Sequence, residues 1–481
     1  MPQQVTQAFL SFTEQDLAVF SEASGDRNPL HLSQEYARQT PYGQRVVFGC
    51  LGAMACLGHI RLPAGSSVRS LEAEFYRPLF LGVDYRVEIL EEAGRWRGRL
   101  FDGSLPVISV TATTWLCENE AAGPIATARF ERREAAAVRQ PGDIVPGLKI
   151  SGEYACNAAA LAARWGVGDR RLAAALAWGS YLVGMELPGE CALFSKLALH
   201  FHGVAIPLAP MVYHASVTAA KPRFGQIRMD VSLLSGASTI ASGQCWSYIR
   251  SPAPEVTESE SPGASPHSLT GRTAVLLGSS RGLGAAIKRA LELRGAVVYG
   301  MARSTNAVGL SQTEVGDAAD PEALRRLRER VLREHGRLDF LICNACPPIL
   351  PLRLEPNAAG RIGIYINLAV SLTLAPLSEF LELLNRSDGC SVIVSSAAVE
   401  RPIREWPHYI AAKQAVEALG RVASLQYPRV RTLIVRPKKL LTAMTNTPMG
   451  RMGAVSPGLL ANRIAARLEN PPPPGKTEIL D

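Results

Sequence analysis

The chain has 481 residues, of which 47% are hydrophobic and 20% charged. That balance excludes a disordered chain, a collagen and a coiled coil, and the length allows two to four domains. The net charge of +8 comes from 51 basic and 43 acidic residues; it suits a phosphorylated cofactor or an acidic carrier protein, while the lack of like-charge runs and of an aromatic-interleaved basic stripe argues against nucleic acid.

The opening MPQQVTQAFLSFTEQD has no basic segment leading into an apolar core, and no stretch reaches eighteen uncharged apolar residues. The nine cysteines are scattered and odd in number. A cytoplasmic protein with reduced thiols, no signal peptide and no membrane span is the expectation. Two low-pattern stretches divide the chain. Residues 119–145 are rich in Ala, Glu and Arg, and residues 251–270, SPAPEVTESESPGASPHSLT, read as a flexible linker. The blocks between them are 1–118, 146–250 and 271–481.

In the first block, a helix-like run at Val46–Ile60 precedes strand-like runs at Val68–Tyr76, Asp84–Leu90, Arg95–Phe101 and Val107–Leu116. Ahead of them lies Ser24–His31, SGDRNPLH. Pro29 makes this an irregular segment. A carboxylate at Asp26 and an imidazole at His31, converging on one water, can add it to a conjugated double bond or, in reverse, remove a β-hydroxyl as water. Backbone N–H near Gly49, at a helix start, can hold the thioester oxyanion. The segment resembles the R-specific enoyl-CoA hydratase family, the MaoC-like hot dog fold, and Phe75–Asp84 (FYRPLFLGVD) looks like a hot dog strand and turn. The resemblance implies Asp26 and His31 as the catalytic pair, Asn28 as an orienting residue and Gly49 as an oxyanion donor. Phe48 departs from the histidine usual before that glycine.

The second block repeats the pattern. A helix-like run at Leu172–Met185 precedes runs at Phe194–His202, Met211–Ala219, Gln226–Leu234 and Thr239–Ile249, with Phe201–Pro207 also fitting a sheet. It has no D-x-N-P-x-H segment. A duplicated α+β unit with a non-catalytic second hot dog follows, a double hot dog whose second half completes an acyl tunnel. His200, His202 and His214 fall on strand-like runs and read as ordinary sheet positions, not metal ligands.

The third block alternates short apolar runs (Thr273–Leu277, Val297–Met301, Phe340–Cys343, Ser391–Val394, Leu433–Val435) with helical patterns, the signature of a parallel sheet covered on both faces. The fold class is therefore an α+β double hot dog followed by an α/β Rossmann-type doubly wound sheet. LGSSRGLG at 277–284 follows a strand and opens a helix, so Gly278, Gly282 and Gly284 permit a tight turn beneath a pyrophosphate. Tyr409 and Lys413 are four apart and share a helix face. A neighbouring ammonium lowers a tyrosine pKa, and Ser396, at a strand end, can hold a carbonyl oxygen for protonation.

This set resembles the short-chain dehydrogenase/reductase family, particularly 3-oxoacyl thioester reductases. The resemblance implies a catalytic set of Asn367, Ser396, Tyr409 and Lys413. It implies cofactor contacts from Gly278, Ser280, Arg281, Gly282, Leu283, Gly284, Asp317, Asn344, Ala345, Pro437 and Thr442, with Tyr409 and Lys413 shared. Cys346 and Lys438 stand where the family has glycine. The second strand ends GMARS with Arg303 and no acid; Arg281 and Arg303 together suit a 2′-phosphate, so the expected cofactor is NADPH. Cys343 and Cys346 mimic C-x-x-C, but no second pair exists and no metal is expected.

Together the blocks predict a 3-oxoacyl-thioester reductase joined to a 3-hydroxyacyl-thioester dehydratase, acting on an acyl carrier protein or coenzyme A in fatty-acid or polyketide type elongation, in a homodimer. Two alternatives stay open. One is the oxidative pair of hydratase and dehydrogenase; the other is a reductase with a catalytically silent acyl-binding hot dog.

Overall fold

Alternating burial sets the strands of the first half. In Tyr85–Glu92 the side chains of Tyr85, Val87 and Ile89 are buried while those between them are not, as a sheet with one covered face requires. A computed structural model describes residues 6–62, 65–116, 133–202, 210–251, 267–303 and 312–481. It divides into two compact units, one built on Met1–Pro252 and the other on Ala253–Asn446 with Gly450–Asp481. Three parts of the sequence reading lie outside the described residues: 119–132 of the first expected linker, 252–266 of the second, and 203–207.

The first unit is one antiparallel sheet of ten strands. The first repeat supplies β1 (Thr6–Leu10), β2 (Ser66–Phe75), β3 (Tyr85–Glu92), β4 (Arg95–Asp102) and β5 (Leu105–Leu116). The second supplies β6 (Lys149–Tyr154), β7 (Ala192–Phe201), β8 (Met211–Lys221), β9 (Gln226–Ser235) and β10 (Ser238–Ile249). The spatial order is β1-β3-β4-β5-β2-β7-β10-β9-β8-β6. Read outward from the β2–β7 seam, the two halves have the same topology, as the duplicated unit expected from the sequence requires. β2 and β7 pair antiparallel, Ser70 with His200 through Glu74 with Lys196. β1 and β6, the outermost strands, are additions to the sequence reading.

Each repeat wraps its half of the sheet around one apolar helix. Gly49–Leu57 is buried from Cys50 to Leu57, and Arg170–Tyr181 from Arg171 to Tyr181. A helix buried all round sits inside a core. Both are shorter than the runs read from sequence. Val47 is spent on a bridge to Leu79 ahead of the first helix. The second starts at an Asp169 cap and gives way to a wider π-type turn, Leu182–Glu186. The described part of the expected first linker is pinned to that turn: Ala137 N donates to Met185 O at 2.8 Å, and Arg133 pairs with buried Glu186 at 2.7 Å.

The second unit is a parallel sheet of seven strands: β11 (Thr273–Leu277), β12 (Val297–Ala302), β13 (Thr313–Val315), β14 (Phe340–Cys343), β15 (Cys390–Val394), β16 (Arg431–Val435) and β17 (Thr477–Leu480), in the order β13-β12-β11-β14-β15-β16-β17. Every residue of β11 is buried. Ala274 and Leu276 join the cluster under helices Gly282–Glu292 and Pro457–Glu469; Val275 and Leu277 join the cluster under Pro321–His335, Ala359–Arg386 and Pro407–Gln426. That is a sheet wound on both faces. Pro356–Arg386 is long and apolar enough to cross a membrane by length and composition, because Ile362–Ser378 carries no charge. Within the second unit its Leu377, Phe380, Leu381 and Leu384 pack as a core helix against the sheet.

Gly58, at the end of the first repeat's helix, tests how tightly the repeats interlock. A Cβ there would stand 1.7 Å from the Trp165 carbonyl oxygen of the second repeat. Gly58→Ala is expected to destabilise the first unit by about 1–3 kcal/mol, the usual cost of overpacking. In calorimetry its transition should move down while that of the second unit stays in place.

Candidate active sites

The D-x-N-P-x-H segment is built by local hydrogen bonding. Helix Glu14–Ser24 opens on a Thr13–Asp16 capping box and ends on Gly25, whose φ of 75° is the left-handed conformation glycine adopts without strain. The chain turns there into Asp26. Asp26 Oδ1 accepts from Asn28 N at 3.0 Å. Asn28 Oδ1 in turn caps the short helix Pro29–Leu32 by accepting from Leu30 N at 3.0 Å, and Pro29 occupies a first-turn position where its missing N–H costs nothing. His31 sits in that turn.

The second repeat completes the site. Ser180 Oγ donates to Asp26 Oδ2 at 2.6 Å. Asn28 Nδ2 donates to the Gly184 carbonyl at 2.8 Å and lies 3.2 Å from that of Gly189. A Cβ on Gly184 would stand 2.7 Å from Asp26 Oδ1. Ser180 and Gly184 were read only as parts of a hot dog helix; no spacing in the sequence links them to Asp26, more than 150 positions away. The corresponding stretch of the second repeat explains why it has no site of its own: Gly25–Phe48 lies between the first repeat's helices, but only Gly166–Asp169 between Ala158–Trp165 and Arg170–Tyr181.

Burial pushes the Asp26 carboxyl up to about 6, with the Ser180 and Asn28 hydrogen bonds opposing. Burial pulls the His31 imidazole down to about 4. His31 Nδ1 lies 2.8 Å from the Val46 carbonyl. A carbonyl only accepts, so Nδ1 carries the proton of the neutral ring and Nε2 is left as a base. Phe48 stacks on His31, centroids 3.9 Å apart. Gly49 begins helix Gly49–Leu57, whose Phe48 cap supplies no side-chain bond to the first-turn N–H groups. A side chain at Gly49 would press on Phe75, 2.9 Å from its Cδ1.

In the second unit the candidate residues gather at the carboxyl ends of the strands. Gly278 has φ of 81°, and Asn344 Nδ2 donates to its carbonyl at 2.9 Å. A Cβ on Gly284 would stand 1.9 Å from that same oxygen, and one on Gly282 3.2 Å from Thr442. The turn therefore tolerates no side chain at Gly284. Ser280 and the exposed Arg281 lie in it, and helix Gly282–Glu292, with buried Leu283, starts without a side-chain cap. These uncapped N–H groups and the bare backbone fit a pyrophosphate, so a nicotinamide dinucleotide suits this turn. Ala345 abuts Gly278, the Pro437 carbonyl accepts from Ala397 N at 3.0 Å, and Arg303 stands exposed just past β12. Asp317 folds its carboxylate back onto Ala319 N at 2.9 Å.

Ser396 caps a short turn after β15 and hydrogen-bonds Tyr409 on helix Pro407–Gln426. Lys413 Nζ lies 5.7 Å from the Tyr409 ring centroid and donates to the Val394 carbonyl at 2.7 Å. The expected lowering of Tyr409 is overturned in net: burial raises its phenol, and the opposing pull of Lys413 and Ser396 does not prevail. Asn367 lies on an exposed stretch of helix Ala359–Arg386, and among the described residues no hydrogen bond joins it to the other three. Cys346 Sγ is 3.8 Å from the Tyr365 hydroxyl. His202 bonds Ser242 at 2.7 Å. Among the described residues no group of three potential ligands could hold a metal ion.

Residues 272–451 match the short chain dehydrogenase family. An uncharacterized oxidoreductase of Mycobacterium tuberculosis is 30% identical over 191 residues, covering 36% of this chain and 72% of that protein. The chain belongs to the short-chain dehydrogenase family. Ahead of this short-chain dehydrogenase domain, residues 2–110 match the MaoC like domain. A 3-hydroxybutyryl-CoA dehydratase of Methylorubrum extorquens is 37% identical over 81 residues, 16% of this chain, and the match spans about half of that dehydratase, 52%. An alcohol dehydrogenase of the archaeon Thermococcus sibiricus, solved with 5-hydroxy-NADP, is 25% identical, covering 44% of this chain and 95% of its own, with a TM-score of 0.39. The chain thus joins a hydratase/dehydratase-type domain to a short-chain oxidoreductase domain.

Two predictions follow from the first site. Gly184→Ala should cut hydration of a short enoyl thioester by at least about tenfold through displacement of Asp26, while ketone reduction by the second unit is retained. Because Asp26 is a carboxylate only above about pH 6 and His31 stays neutral down to about pH 4, kcat/KM for hydration should fall by about tenfold per unit below pH 6. A profile flat from pH 5 to 8 would exclude Asp26 as the titrating group.

Proposed function

We propose that the protein is a bifunctional enzyme of acyl-thioester metabolism. The short-chain dehydrogenase unit reduces a 3-oxoacyl group to a 3-hydroxyacyl group, and the double hot dog removes water to give a 2-enoyl group. The observation that carries this reading is the presence in one chain of the Ser396–Tyr409–Lys413 set and of the buried Asp26 with the neutral His31. These reactions are consecutive in fatty-acid and polyketide type elongation, and joining their catalysts raises the local concentration of the second site.

A nicotinamide cofactor supplies hydride to the carbonyl carbon when bound. Tyr409 gives its hydroxyl proton to the carbonyl oxygen, Ser396 Oγ donates to the same oxygen, and the Lys413 ammonium stabilises the phenolate that remains. In the hot dog, Asp26 and His31 divide the removal of the α-proton and the protonation of the departing β-hydroxyl, and the Gly49 N–H faces the thioester oxygen. NADPH is the preferred cofactor on this reading, supported by Arg303 and by the lack of an acid at the end of β12. The substrate is carried on coenzyme A or a carrier protein, in the cytoplasm. The exposed apolar side chains Ile364, Leu368 and Leu374 on one helix, and Val422 and Leu425 on the next, support a homodimer.

One observation favours a second reading. The Phe48 ring stacked on His31 is compatible with a hot dog that binds an acyl chain without turning it over. Product analysis separates the two. With NADPH and a 3-oxobutyryl thioester, an enoyl product is expected from the wild type, hydroxyacyl product alone from Asp26→Asn, and neither from Tyr409→Phe. Hydroxyacyl product alone from the wild type, with no hydration of added enoyl thioester, would establish the binding role. NADH should support a lower rate than NADPH, and Arg303→Ala should narrow that gap by about tenfold, the worth of one charged contact.

A further inference from the structure

Arg250 follows β10 in the second repeat, its backbone N bonded to the Cys191 carbonyl at 2.9 Å. The residue is only 5% exposed. One terminal nitrogen donates to the Tyr36 hydroxyl at 3.1 Å, and the guanidinium carbon lies 5.9 Å from the Tyr36 ring centroid. Nε is buried and has no partner. Among the described residues no carboxylate pairs with it. The Tyr36 hydroxyl lies 3.2 Å from the Glu190 carbonyl, to which it donates, so it offers Arg250 a lone pair and no charge.

A buried guanidinium with no ion-paired carboxylate is costly; the Glu190 carboxylate acts on Tyr36 without pairing with Arg250, and in a site built for an anion the ligand supplies that partner. The surroundings locate that ligand. Arg250 acts electrostatically on His31, Tyr36 and Tyr42, and its bond to Tyr36 ties it to the stretch of chain that follows His31. Nη2 is held by Tyr36 and Nε–H is left unspent, a charged donor with one hydrogen bond to give to an oxyanion.

We propose that Arg250, flanked by Tyr36 and Tyr42, is an oxyanion-binding subsite of the hydratase pocket, taking a carboxylate or phosphate group carried by the thioester substrate beside His31. The proposal rests on the thioester reading of the first unit and adds a substrate feature to it. A carboxylate would come from the acyl group, making the substrate the monothioester of a diacid; a phosphate would come from the carrier arm.

The test uses the full chain as wild type, Arg250→Met and Arg250→Lys. Three substrates separate the sources: crotonyl-N-acetylcysteamine with neither group, crotonyl-CoA with phosphate, and the fumaryl monothioester of N-acetylcysteamine with carboxylate. Arg250→Met should lower the selectivity for the oxyanion-bearing substrate over crotonyl-N-acetylcysteamine at least about tenfold, mainly through KM, with partial recovery in Arg250→Lys. Loss confined to crotonyl-CoA assigns the phosphate, and loss confined to the fumaryl thioester assigns the carboxylate. Its Tm should hold or rise, because an uncompensated buried charge is removed. Equal loss on all three substrates, or a lowered Tm without a change in selectivity, overturns the subsite. If the wild type hydrates none of the three, the hydratase reading fails and calorimetric titration decides. Succinate or inorganic phosphate binding to wild type and not to Arg250→Met sustains the subsite; no binding to wild type refutes it.

Discussion

The hydrogen bond from Ser180 to Asp26 is the contact on which the first unit's chemistry depends. It crosses from one repeat to the other and satisfies a carboxylate that has almost no access to water. Beside it, Asn28 reaches the carbonyls of the π-type turn, and Gly184 leaves only enough room for the Asp26 oxygens. A buried carboxylate is tolerated when its oxygens are bonded, and here its three neighbours are a hydroxyl, an amide and a bare backbone. None of them is a cation. This is why burial prevails and the carboxyl exchanges its proton near neutrality instead of staying ionised. The second repeat, which has no active segment, is therefore the scaffold on which the first repeat's acid–base group is set.

The second unit meets the same effect of burial with a cation at hand. Tyr409 is half-buried and its phenol is raised by desolvation, while Lys413 beside it is anchored to a backbone carbonyl. The lysine is thus fixed as a charge near the ring. The same contrast runs through the two sheets. One is antiparallel with alternating burial, and its site lies on a loop held by a neighbouring helix. The other is parallel and buried on both faces, and its site collects where strands end and helices begin.

Much of this was legible in the sequence, for identifiable reasons. The five parallel strands read as apolar runs because both of their faces are covered. The Gly-rich turn and the Tyr409–Lys413 spacing were readable because local geometry brings those residues together. So was Asp26–His31, whose segment is closed by bonds between residues two apart. The edge strands β1 and β6 were missed because their sequences, TQAFL and KISGEY, lack a strong period. Ser180, Gly184 and Arg250 escaped because their importance comes from tertiary proximity, with no signal in spacing. The net direction at Tyr409 escaped for the same reason: a neighbouring lysine is visible in a sequence, but the degree of burial is not. The uncharged run Ile362–Ser378 was also passed over, since its Asn, Ser and Thr residues break an apolar count without adding charge.

The pseudo-twofold sheet has a consequence for stoichiometry. Two identical hot dogs paired across such a seam would present the same site twice. Here the duplication is covalent, and the stretch corresponding to Gly25–Phe48 is reduced in the second repeat to Gly166–Asp169, so each chain holds one hydratase-type site and one site of the short-chain dehydrogenase type. Whatever the number of chains in the assembly, the two sites are present in equal numbers, and neither can be expressed in excess of the other.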